Sequence, residues 1–211
     1  MGRQSGGYQR TRERGTRRFK RRVVIAAEGT VSEPEYFAFL QNQETTIQVR
    51  CLKGRNGSAP PQVLARMRKF LAGDPLQAED QAWLVCDKDA WTDEQLRELH
   101  SWAAGAKQHG FALSNPKFEY WLLLHFEDAT GIGAADEVDR RLKGHLPGFN
   151  KHLSGKHFTE ERITTAYERA RQRDNPPTTD WPRAVGTTVY RLVDAIRKDP
   201  MTHPQSLISN P

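Results

Sequence analysis

The chain has 211 residues and a formal net charge of +6, with 36% hydrophobic and 27% charged residues. That length allows one domain with a sizeable core and an appended part. No stretch reaches the roughly 18 apolar residues of a membrane helix. The basic start lacks the apolar segment of a signal peptide. A soluble cytoplasmic protein with no membrane partner is therefore expected.

The charge is unevenly placed. Residues 1–22 hold nine basic side chains (Arg3, Arg10, Arg12, Arg14, Arg17, Arg18, Lys20, Arg21 and Arg22) against one acid, Glu13. They are expected to form a disordered basic arm, because they offer almost nothing to bury. By subtraction, the rest of the chain carries about −2. Such an arm either contacts a phosphate backbone or is a solvated tail. Arg17, Arg18, Lys20, Arg21 and Arg22 are its candidate nucleic-acid contacts. Cys51 and Cys86 are the only cysteines and form no Cys-x-x-Cys pair, so buried free thiols are expected.

The first core element is Val23–Ala27, a β-branched run closed by Glu28-Gly29. Ser32-Glu33-Pro34-Glu35 reads as a capping box opening a helix to Asn42, with Tyr36, Phe37, Phe39 and Leu40 inward. Ile47, Val49 and Cys51 alternate as a second strand. After the Lys53–Ser58 loop, Pro60-Pro61 opens a helix to about Ala72, one side made basic by Arg66, Arg68 and Lys69. The run Ala82–Cys86 reads as a strand buried on both faces. Asp93 starts a helix to about Gln108, stopped by Gly110. Phe111–Leu113 is a fourth strand, and Phe118–Phe126 a strongly apolar helix. Beyond residue 128 the strand signal fades, and Ala135–Lys143, Thr159–Arg173 and Ala184–Lys198 read as helices. The expected organisation is an α/β core over 23–128, a helical part over 129–200 packed on it, and a tail over 201–211.

Strands alternating with helices imply a parallel sheet flanked by helices. Ligands of such sheets bind beyond the carboxyl ends of the strands. Glu28 ends the first strand, Asp87 and Asp89 the third, and Ser114 and Asn115 the fourth. Side chains at i and i+2 of an extended chain share a direction, so Asp87 and Asp89 can face one point. Hard oxygen ligands so placed suit Mg²⁺ or Mn²⁺. The alternative is that Asp87 caps the next helix and Asp89 is solvated. Glu119 is either a further metal ligand or a first-turn acid serving its helix dipole. Lys88 and Lys117 either hold a phosphate or balance neighbouring acids. His125 reads as a hydrogen-bonded structural histidine.

Several segments resemble one family. Glu28-Gly29-Thr30-Val31-Ser32-Glu33-Pro34-Glu35-Tyr36-Phe37 is similar to the EGxxTEPxYF opening of RloB-like proteins, with Ser32 in place of Thr. Asp87-Lys88-Asp89 matches their Asp-x-Asp. Ser114–Phe126 matches their SNPxFExWLLLHF segment. Gly186–Val193 resembles their last helix entry, with Gly186 in place of Asn-Pro. The resemblance implies a Toprim-like fold with a C-terminal helical extension. It also implies metal and catalytic roles for Glu28, Asp87 and Asp89. The expected function is a Mg²⁺-dependent nuclease acting on DNA or RNA, the effector of a phage-defence (abortive-infection) system with an ATPase partner. The alternatives are a non-catalytic metal- and nucleic-acid-binding subunit of that ATPase, and phosphoryl or nucleotidyl transfer.

Overall fold

The computed structural model describes residues 21–41, 47–54, 59–88 and 91–197. Asp89, Arg17, Arg18, Lys20 and the 201–211 tail lie outside the described residues. The elements follow in the order β1 (Arg21–Ala27), α1 (Ser32–Leu40), β2 (Ile47–Cys51), α2 (Pro60–Gly73), β3 (Gln81–Asp87) and α3 (Asp93–Ala104). Then come β4 (His109–Asn115), α4 (Phe118–Leu123), α5 (Ala135–His145), α6 (Glu160–Arg173), β5 (Gly186–Thr187) and α7 (Val189–Arg197).

The strands form one sheet in the order β2-β1-β3-β4-β5. The pairs β1–β2, β1–β3 and β3–β4 are parallel, and only β5 runs antiparallel, on the β4 edge. The α/β class is as expected, and the arrangement is consistent with a Toprim-like sheet carrying further C-terminal helices. Strand residues alternate between faces. Val23, Ile25 and Ala27 of β1 join α1, α4, α5, α6 and α7 in one core. Val24 and Ala26 join α2 and α3 in the other. The C-terminal helices therefore help build one face of the sheet itself.

Four local expectations change. β1 starts at Arg21, because Arg21 and Arg22 pair with Ile47 and Gln48 of β2. The Ser32/Glu35 capping box does not form. Ser32 Oγ donates to the Lys151 carbonyl at 2.9 Å, and Glu35 accepts from the Leu153 N–H at 2.6 Å and from His152 at 2.8 Å. A distant loop has taken both side chains from the local motif. α3 ends at Ala104 before Gly105, and Gly110 lies inside β4 instead. There a Cβ would stand 2.4 Å from the Trp83 ring, so Gly110 makes room for an indole. Finally, α7 begins only at Val189, because Gly186 and Thr187 pair with Asn115 and Ser114 as β5.

Both cysteines are free thiols, as read from the sequence. Burial pushes the Cys51 thiol up to about 12, and raises Cys86 strongly.

Candidate functional site

From β1 the chain passes to β2 on one side, while β3 lies on the other. Such a switch point leaves a crevice beyond the strand ends. Glu28 and Asp87 stand on either side of it. Register fixes this: Ala27 lies opposite Val85, and the Glu28 N–H donates to the Val85 carbonyl at 2.9 Å. The Asp87 N–H then donates to Glu28 Oε2 at 3.2 Å. Trp91 Nε1 donates to Glu28 Oε1 at 3.1 Å. Two N–H donors thus hold the Glu28 carboxylate at the edge of the sheet.

A pocket of about 240 Å³ opens here, and four acids line it: Glu28, Glu33, Asp87 and Glu119. Among the described residues, its one basic lining residue is Lys151. Glu33 comes from α1 and folds back so that its Oε1 accepts from the Gly29 N–H at 2.8 Å. A Cβ on Gly29 would stand 1.9 Å from Glu33 Oε2, so only glycine allows this fold-back. Glu119, in the first turn of α4, is almost fully buried and accepts from Lys151 Nζ. Lys151 has a left-handed backbone, φ 81°, and its carbonyl is the one tied to Ser32.

The electrostatics are those of an acid cluster short of cations. Burial raises the Asp87 carboxyl well above the usual aspartate range. Glu33, Glu28 and Glu119 add to the effect, and the Phe118 N–H opposes it. Burial likewise raises Glu33, with Glu119 adding and Lys151 opposing. Like charges confined together disfavour ionisation unless a cation joins them. The donor set is carboxylate oxygen alone, which fits a hard divalent ion. Among the described residues, no three His, Cys, Asp or Glu side chains already converge as a preformed metal cage.

The sequence-derived residues separate into groups. Glu28, Asp87 and Glu119 share the pocket, while Asp89 is outside the described residues. Lys88 donates to Asp93 at 3.0 Å and to the Trp91 carbonyl at 2.7 Å. Lys117 pairs with Asp139 at 2.7 Å. Both lysines therefore balance acids. Arg21 is buried and donates to the Ala195 carbonyl. Arg22 pairs with Asp74 at 2.7 Å and Asp80 at 3.1 Å. These two arginines, expected on the arm, are built into β1. Asn115 donates to the Pro182 and Arg183 carbonyls at 3.2 and 3.1 Å, docking a remote segment.

Sequence reasoning missed three participants: Glu33, Trp91 and Lys151. Glu33 was in view only as a helix-start acid. Trp91 and Lys151 carry no periodic or spacing signal. A larger hollow of about 560 Å³ lies at the end of α6, but its Asp174 is committed to Tyr190, Arg191 and Thr178.

Fold and pocket define an α/β protein with a carboxylate-rich pocket at the switch point of a parallel sheet. The family model described as RloB-like protein matches residues 23–196, and the chain belongs to that family. No curated protein and no solved structure gives a significant match.

Proposed function

We propose that this RloB-like protein is a Mg²⁺- or Mn²⁺-dependent nuclease of Toprim type, cutting DNA or RNA phosphodiesters. The observation that carries the reading is the pocket itself: Glu28, Glu33, Asp87 and Glu119 at the switch point with Lys151 as its basic residue. Asp87, Glu28 and Glu119 are the residues that would hold the ion, joined by Asp89 from its i+2 position. A bound divalent cation would supply charge neutralisation on the phosphodiester and lower the pKa of an attacking water. The chain's own part is placement. The Asp87 N–H and the Trp91 indole fix Glu28, leaving it poised to bind metal or move a proton. The 1–20 basic arm would engage the polynucleotide backbone.

Family resemblance adds the setting: the effector of a cytoplasmic phage-defence system that works with an ATPase. A second reading is a non-catalytic metal- and nucleic-acid-binding subunit of that ATPase. On that reading the same acids would hold an ion without cutting. Incubation of the purified chain with plasmid, single-stranded DNA and tRNA, with and without Mg²⁺ or Mn²⁺, separates the two. Cleavage that Glu28→Gln and Asp87→Asn abolish supports the nuclease. Cleavage unchanged in both variants removes these residues from catalysis. No cleavage by the chain alone, with activity appearing on a co-purified ATPase, moves the second reading ahead.

A further inference from the structure

Three basic side chains of α2 look alike in sequence, but they are not alike in the fold. Arg68 is exposed and reaches Glu98 at 3.4 Å. Lys69 is exposed. Arg66 is partly buried and turns under the sheet edge, where its Nη2 donates to the Ala27 carbonyl. That carbonyl is the last of β1, immediately before Glu28. The Arg66 Nε is buried without a partner. Among the described residues, no carboxylate forms an ion pair with this guanidinium, whereas Arg22 has two.

Gly54, three residues after β2, lies against it. A Cβ on Gly54 would stand 2.8 Å from Arg66 Nη1 and 3.3 Å from Thr30 Cγ2. Thr30 also lines the acidic pocket. The guanidinium therefore sits beside the strand-end loop 28–30, on the α2 side of the sheet, with the acids of α1 and α4 on the other side. A desolvated guanidinium without a counter-charge is costly. Burial lowers its pKa from the arginine norm, yet it stays cationic. A planar fork held short of acceptors at the ligand-binding edge matches a phosphate.

We propose that Arg66 is a phosphate anchor: it takes one phosphodiester group of a bound polynucleotide and sets the strand beside the acidic pocket. This rests on the nucleic-acid reading above, but not on cleavage.

The test uses the full chain in EDTA. Fluorescence anisotropy follows labelled single-stranded DNA and RNA, and in a separate arm a fluorescent nucleoside triphosphate. Arg66→Gln is expected to weaken oligonucleotide binding about tenfold. It should also reduce the slope of log affinity against log salt by roughly one. Arg66→Lys should recover the slope but only part of the affinity. Gly54→Ala, which displaces the guanidinium and keeps its charge, should weaken binding without removing the arginine, and it decides the question if Arg66→Gln does not fold. A folded Arg66→Gln protein with wild-type affinity and salt slope overturns the anchor. So does a loss confined to the nucleotide arm, or a wild-type chain that binds no oligonucleotide. A separate cleavage assay with Mg²⁺ reports on the nuclease: Arg66-dependent binding without cutting keeps the anchor and removes the nuclease.

Discussion

The Asp87 backbone N–H donates to the Glu28 carboxylate at 3.2 Å, across 59 residues of sequence. The bond joins the ends of the two strands that flank the switch point. It makes the position of one acid depend on the backbone that carries the other. Any change in β1–β3 register would separate them.

Trp91 is the other donor to Glu28, with its indole packed against the core beneath α2 and α3. Trp91→Phe keeps most of that packing and removes the N–H. If the proposed nuclease reaction uses Glu28, kcat should fall about tenfold with KM nearly unchanged, since a small misplacement of a catalytic group slows chemistry more than binding. The melting temperature should stay close to wild type. A parallel loss of KM and stability would make Trp91 a packing residue only.

Asp87 is the acid most burdened by burial and by its neighbours. Asp87→Asn removes one negative charge from the pocket and keeps an acceptor for the Phe118 N–H. In EDTA the variant should be the more stable protein by about 1 kcal/mol, or roughly 2–4 °C in melting temperature for a chain of this size. Mg²⁺ should raise the melting temperature of the wild type and leave the variant nearly unmoved. Thermal denaturation with and without Mg²⁺ checks both. A destabilised variant in EDTA would mean that the acids are already neutralised.

His125 gives a pH dependence independent of the pocket. It is 3% exposed. Its Nδ1 lies 3.0 Å from the Trp121 carbonyl and 3.1 Å from that of Leu122, so Nδ1 carries the proton. Its Nε2 then accepts from the Tyr36 hydroxyl at 3.0 Å. Burial holds its pKa down to about 3. The folded state therefore binds this proton less well than the unfolded state, and stability falls as pH drops. The loss begins near the unfolded value of about 6.5 and runs at up to ~1.4 kcal/mol per pH unit. Glu35 and Glu127, whose pKa values are lowered, add their own loss only below the usual glutamate range. Urea denaturation between about pH 7 and pH 5, run on wild type and His125→Phe side by side, separates the histidine contribution from that of Asp87 and Glu33, whose raised pKa values act in the opposite direction. His125→Phe should be less stable at neutral pH and should lose that slope. An unchanged slope would place the titrating group elsewhere.

Much of the site was legible because it depends on topology. Two β-branched or apolar runs ending in acids, with helices between, put Glu28 and Asp87 on one edge before any coordinate is known. Glu119 followed from its place in the Phe118 helix. What sequence could not show were contacts in which a remote loop outbids a local motif. Ser32 and Glu35 have the spacing of a capping box, yet their partners lie in the 151–153 segment, 119 and 118 residues away. The same segment delivers Lys151, from a loop with no periodic pattern. Lys88, Lys117 and Arg22 show the converse: basic residues that look free in a sequence are bound by Asp93, Asp139, Asp74 and Asp80.

Lys151 sets up opposite effects on stability and on cation binding. Its ammonium is the partner of Glu119, whose side chain is 3% exposed, while its own is 61% exposed. Without it, Glu119 would remain a buried acid among acids, so Lys151→Met should lower the melting temperature in EDTA. The same loss of positive charge should strengthen binding of a divalent cation about three- to tenfold, because the ion no longer competes with an ammonium for that carboxylate. Titration with Mn²⁺, read by the loss of free-ion paramagnetic resonance signal, measures the affinity without any cleavage. Mn²⁺ should also recover more of the lost melting temperature in the variant than it adds to the wild type. Equal Mn²⁺ affinity in both proteins would show that the ion does not use Glu119, and would move the metal site toward Glu28 and Asp87 alone.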